Sequence, residues 1–236
     1  MNFLTAKWQN LIMANYEVPP EVLLPFLPAG TELDLFQGKA LVSLVGFLFS
    51  DIRIFGVSAG FFDTFEEINL RFYVLRRDGH RTKRGVVFIN ETVPYRVVAW
   101  LANKLYKEHY TAVPTKKEWV ISPEEKKIDY FWKTGNYWNS MKVAASARQS
   151  KIQAGSIEEF IFEHYFGYTL ISPTVSQEYM IAHSRWMINK IEVSSVDCDF
   201  EAMYGKPFAF LSGHMPESIM LAEGSAVSVK WERTRF

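Results

Sequence analysis

Phe65-Glu66-Glu67-Ile68-Asn69-Leu70-Arg71-Phe72-Tyr73-Val74 is the stretch from which the rest of the chain can be placed. On a strand, successive side chains point to opposite faces. Glu67, Asn69, Arg71 and Tyr73 then share one face, and Ile68, Leu70, Phe72 and Val74 share the other. The apolar face needs a core. The polar face carries a carboxylate, an amide, a guanidinium and a phenol, a set able to recognise a ligand if the sheet curls or closes around it. In an ordinary antiparallel sheet the same face is solvated or holds a Glu-Arg pair that only orders the structure.

The flanking sequence builds the sheet. Asp78-Gly79 tolerates positive φ, so residues 68–76 and 83–90 are expected to form a hairpin. The strand predicted over 39–55 is apolar on both faces from Leu41 to Phe49, which sets it in the middle of the fold. Further strands are expected over 8–18, 33–36, 118–121, 128–132, 137–147, 179–193 and 226–231. Helices are expected over 20–27, over 94–106 with Pro94, Val97, Val98, Leu101 and Leu105 facing the sheet, and over 157–168 behind the Ser156/Glu159 capping box. Residues 207–211 add a short helix. The fold class is mainly β with peripheral α, and with no repeat or linker to divide it, residues 1–236 read as one domain.

Bulk properties exclude several functions. Of 236 residues, 48% are hydrophobic and 16% aromatic, enough for a large core. With 26 basic against 26 acidic residues, no net field favours nucleic acid or an anionic membrane. The longest apolar run, residues 40–49, is too short to span a bilayer, and the start of the chain has no apolar leader, so a cytoplasmic protein is expected. The single cysteine, Cys198, stands between Asp197 and Asp199, which disfavour its thiolate. The five histidines show no ligand spacing, so no metal site is expected. The chain also lacks a phosphate loop and a nucleophile elbow, and no cofactor is expected.

Several short motifs resemble, in order and spacing, the uncharacterised YqjF-like bacterial family of the acetoacetate decarboxylase-like superfamily. They are residues 8–13, the Leu27-Pro28-Ala29-Gly30 turn, Glu67-x-Asn69-x-Arg71-x-Tyr73-Val74, residues 156–160 with Glu163-His164-Tyr165, His183-x-x-Trp186 and residues 224–231. The resemblance implies an antiparallel barrel-like or two-sheet fold around a central cavity, and it allows a homodimer. In acetoacetate decarboxylase the chemistry rests on a Schiff-base lysine beside a second lysine, after a tyrosine that follows a helix. The comparable stretch here is Leu105-Tyr106-Lys107-Glu108-His109, which lacks that pair. Ala6 or Lys7 stands where the family has an arginine, and the family's strand glutamate corresponds to Glu66 or Glu67.

The candidate site therefore comprises Glu67 as acid/base, Arg71 as a bidentate carboxylate clamp, and Asn69, Tyr73, His183 and Arg185 as further ligand contacts. His183 and Arg185 share a face of the strand expected over 179–193, although a histidine bonded to backbone is the commoner case. Lys104 and Lys107 read as surface residues. The expected function is binding, with or without turnover, of a small, carboxylated organic molecule in a central cavity. The alternative is a non-catalytic binder of an apolar or aromatic metabolite, walled by residues such as Trp119, Tyr130, Trp132, Trp138, Tyr165 and Trp186.

Overall fold

A computed structural model describes residues 2–236. In chain order the strands are β1 (Asn2–Val18), β2 (Glu32–Leu33), β3 (Ala40–Ile54), β4 (Val57–Ser58), β5 (Phe65–Asp78), β6 (Arg81–Val93) and β7 (Tyr110–Ala112). They continue as β8 (Thr115–Ile121), β9 (Glu125–Thr134), β10 (Tyr137–Lys151), β11 (Phe166–Ser172), β12 (Val175–His183), β13 (Met187–Asp197) and β14 (Ser218–Arg235). The helices are α1 (Pro20–Leu23), α2 (Arg96–Tyr106), α3 (Ile157–Phe162) and α4 (Phe200–Tyr204).

Seven strands close a barrel in the order β1-β3-β5-β6-β11-β12-β14, with β14 pairing back onto β1. Closure pairs each of these seven strands on both sides. It also needs strong local bending, which two positive-φ residues supply. Asn10 (φ 50°) interrupts the β1–β3 register, and Gly224 (φ 83°) lies opposite Gln9 on β14. A Cβ at Gly224 would stand 2.0 Å from the Trp8 carbonyl oxygen, so only glycine lets the two strands approach this closely.

Beyond β14 the sheet continues as β13-β10-β9-β8. This wing folds over the outside of the barrel. Ile128, Tyr130, Trp132, Met141 and Val143 form one core with Ile12, Ala14, Leu44, Ile68, Leu70, Phe72 and Val74. The Tyr130 hydroxyl donates to the carbonyl of Asn10 (3.0 Å), satisfying a group exposed by the bulge. A second core, with Leu11, Met13, Val45, Phe47, Tyr73, Val86, Phe88, Phe160 and Trp186, fills part of the barrel interior. β5 is thus buried on both faces. Its apolar side faces the wing and its polar side faces the barrel, with Glu67, Asn69, Arg71 and Tyr73 all buried. The solvated-face reading of this strand does not hold.

Local expectations fail where tertiary packing overrides pattern. The helix expected over 157–168 stops at Phe162, and Phe166–Ser172 becomes β11. The β-branched Thr169 suits a strand, and Phe166 and Gly167 pair in parallel with Gly85 and Val86. The strand expected over 179–193 is two strands separated by Ser184-Arg185-Trp186. Helix α2 meets the barrel end through Tyr95, Val98 and Ala99, while Val97, Leu101 and Leu105 of the expected packing face stay exposed. No helix among the described residues is long and apolar enough to cross a membrane.

Candidate functional site

The inward face of β5 begins the site. Glu67 accepts a hydrogen bond from Asn69 Nδ2 (3.2 Å), and Arg71 lies near enough to act on its charge. Burial pushes the Glu67 carboxyl up to about 7, although the Asn69 hydrogen bond and Arg71 pull the other way. Glu66 points outward, bonded to Thr115 (2.8 Å) and Lys117 (3.3 Å), so Glu67 is the strand glutamate that enters the barrel.

Two further carboxylates enter from neighbouring elements. Glu91 is Asn69's cross-strand partner on β6. Its Oε1 accepts from the Tyr110 hydroxyl (2.7 Å), and burial, then the charges of Glu108 and Glu67, raise its carboxyl well above the ordinary range. Glu108 comes from the turn after α2. Lys107 ends that helix in the left-handed region (φ 60°), and the Asn103 side chain holds the backbone of Tyr110 by two hydrogen bonds, 2.6 and 2.9 Å. This turn leaves Lys107 exposed and Glu108 buried. Glu108 Oε1 then accepts from Thr169 of β11 (2.5 Å) and Tyr179 of β12 (2.9 Å). Burial raises its carboxyl to about 7, against those two hydrogen bonds.

Gly167 makes the Glu108 contact feasible. Its ideal Cβ position lies 2.2 Å from Tyr179 Cζ, so the phenol ring occupies the space a side chain would take. Gly167→Ala is expected to displace Tyr179 from Glu108 and cost about 2–3 kcal/mol, through overpacking and a lost buried hydrogen bond. Urea unfolding checks this, with a lower midpoint and an unchanged slope expected.

Arg71 has no ion-pair partner among the described residues. Its Nε is buried without a hydrogen bond, and its Cζ lies 5.7 Å from the Tyr73 ring centroid. Asn69 Oδ1 and Glu91 Oε2 are likewise buried without partners. Buried polar atoms are ordinarily satisfied, and these three orphans stand on the neighbouring strands β5 and β6. Tyr73 contributes its ring, because its hydroxyl is engaged with Ser43 Oγ (2.5 Å), which bonds Asn15 Oδ1 (2.5 Å).

The remaining candidates separate. His183 is half-buried and stacks on Trp186 (4.3 Å), with its Nδ1 2.9 Å from the Ser184 carbonyl. Burial lowers its pKa, and Arg71 reinforces the effect. Arg185 is exposed on the outside, where it pairs with Glu159 (2.8 Å) and Glu163 (3.2 Å), and is not brought to the others. Two open surface grooves share Glu159, Glu163 and Arg185, and neither is lined by Glu67 or Arg71. The aromatic wall is divided as well: Trp119, Tyr130 and Trp132 belong to the core between wing and barrel, and Trp186 belongs to the interior.

Comparison with known proteins agrees with this architecture. The family model DUF2071, described as an uncharacterized conserved protein, matches residues 5–226. The uncharacterized protein YqjF of Bacillus subtilis (strain 168) is 25% identical over 197 residues, covering 78% of this chain and 74% of its own. Among solved structures, an acetoacetate decarboxylase-like enzyme from Sphingomonas wittichii RW1 superposes with a TM-score of 0.64 at 12% identity, covering 100% of this chain and 94% of its own. Acetoacetate decarboxylase from Legionella pneumophila gives 0.62 at 12% identity, over 100% and 90%. The enduracididine biosynthesis enzyme MppR, solved with pyruvate, gives 0.63 at 11% identity, over 100% and 91%. At these identities the structural likeness establishes the acetoacetate decarboxylase-like fold.

Proposed function

The chain belongs to the DUF2071 family, and from the barrel interior we propose that it binds a small carboxylated organic molecule. The carboxylate sits on Arg71, and Glu67 serves as the acid/base group beside it. The observation that carries this reading is the Arg71 guanidinium: buried, without an ion-pair partner among the described residues, and near the Glu67 carboxyl, which burial keeps partly protonated. A guanidinium presents a rigid fork that matches a carboxylate. A carboxyl near neutrality can give or take a proton at physiological pH. The pyruvate held by the similarly folded MppR is a ligand of this chemical class. Because residues 105–109, which resemble the decarboxylase lysine stretch, lack the lysine pair and Lys107 is exposed, the proposal contains no Schiff-base step.

An anionic ligand entering beside Glu67, Glu91 and Glu108 disfavours their ionised forms. Binding therefore takes up protons, and affinity is expected to rise as pH falls from 8 to 6, through the range in which Glu67 and Glu108 titrate. Calorimetry in buffers of different ionisation enthalpy checks the uptake. The test of the function itself is a thermal-shift screen of small carboxylic acids and aromatic metabolites on the wild type and Arg71→Ala. Carboxylates are expected to stabilise only the wild type. Stabilisation by aromatic metabolites alone, surviving Arg71→Ala, would instead support the apolar-binder reading.

A further inference from the structure

His164 follows α3 and is buried, with its ring against Tyr73 (4.7 Å between centroids) and Phe160 (5.1 Å). Its Nε2 lies 3.1 Å from Asp34 Oδ2, which also accepts from Arg84 Nε (2.6 Å). Asp34 is itself fixed, its backbone N–H donating to the Tyr73 carbonyl (3.0 Å). Burial works to raise the Asp34 carboxyl, but the His164 and Arg84 contacts take it below its usual value, so it is an acceptor only. That fixes the histidine tautomer: Nε2 carries the proton given to Asp34. Nδ1 then holds a lone pair, and it is buried without a partner among the described residues. Burial, assisted by the Arg84 and Arg71 charges and opposed by Asp34, lowers the His164 pKa to about 4, which keeps the ring neutral at physiological pH. Arg71 and His164 both lie against the Tyr73 ring, one presenting an unpaired donor and the other an unpaired acceptor.

We propose that His164 Nδ1 is the second recognition point of the barrel site and accepts a hydroxyl hydrogen from the ligand whose carboxylate sits on Arg71, which makes the ligand class small hydroxy carboxylates. The assignment rests on the carboxylate reading of Arg71. Asp34 is the positioning residue, since it holds the ring in the tautomer that leaves Nδ1 free. A site with a buried acceptor discriminates strongly for a ligand hydroxyl, because the analogue lacking it leaves that acceptor unpaired. Arg84 and Phe160 also line one of the outer grooves, and the Arg84 guanidinium covers the Phe160 ring (4.8 Å).

The experiment has two parts. Nitrogen-15 histidine NMR of the unliganded protein reads the tautomer, and a neutral Nε2–H ring is expected for His164 between pH 6 and 8. An Nδ1–H tautomer or an imidazolium in that range overturns the assignment whatever binds. Titrations with glycolate against acetate, and lactate against propionate, then compare the wild type with His164→Phe, which retains a ring to pack on Tyr73. The hydroxyl is expected to raise affinity about tenfold in the wild type and to give no advantage in His164→Phe. A hydroxyl preference that survives His164→Phe overturns the assignment alone. If none of the four acids binds the wild type, the carboxylate reading of Arg71 falls and takes this assignment with it.

Discussion

Glu108→Gln is expected to raise the melting temperature at pH 8 and to leave it nearly unchanged at pH 4. The amide keeps an oxygen able to accept from Thr169 and Tyr179, so the local hydrogen bonds survive the change. What it removes is the ionised state. A carboxyl that titrates near 4.5 in the unfolded chain and near 7 in the barrel binds more protons folded than unfolded across that window. Stability therefore falls as pH rises from about 4.5 to 7, and the loss is complete above the folded value. For Glu108 alone the difference is about 3 kcal/mol, or roughly 6–10 °C in a chain of this size. Glu91 amplifies the effect, because the Glu108 charge is one of the forces raising its own carboxyl. Scanning calorimetry of both proteins at pH 4 and pH 8 checks the difference. Equal melting temperatures at pH 8 mean that Glu108 is ionised in the folded protein at no cost.

Arg71→Ala is expected to weaken binding of small carboxylates by roughly 100-fold, the loss of two charge-assisted hydrogen bonds in a buried site. Arg71→Lys should restore only part of the affinity, since an ammonium is a point charge without the guanidinium fork. The variant also carries a signature independent of ligand. Arg71 opposes the upward shift of Glu67, so its removal should move the Glu67 titration higher still. Calorimetric titration measures the first effect and side-chain NMR the second. Undiminished binding combined with a displaced Glu67 titration would place the ligand elsewhere while leaving the electrostatics of the site intact.

The sequence made one wall of this candidate site legible and hid the others, for reasons that are physical. Glu67, Asn69, Arg71 and Tyr73 stand at strict alternation on a regular strand, so their common face follows from the pleat alone. Whether that face met solvent or the barrel interior depended on how the strand ends paired, and no local pattern encodes the β1–β14 closure. Glu91 was hidden because the β5–β6 register shifts between Leu70 and Arg71, which breaks alternation along β6. Glu108 sits in a polar turn that reads as surface, and only the left-handed cap at Lys107 and the Asn103 hydrogen bonds send it inward. Its position beside the resemblance to the decarboxylase lysine stretch was the one available signal. His164 was visible as part of a motif, but Asp34 lies 130 residues away, so their pairing belongs to the fold. Arg185 is not brought to the others because the chain breaks between β12 and β13 and leaves it exposed, paired with Glu159.

The most direct test is a carbon-13 NMR titration of the glutamate side-chain carboxyls, assigned by Glu67→Gln, Glu91→Gln and Glu108→Gln. Glu67 and Glu108 are expected to titrate near pH 7 and Glu91 well above the ordinary carboxyl range, and a bound small carboxylate to move all three upward. Titration of all three below pH 5 would contradict a barrel interior that holds its carboxyls protonated.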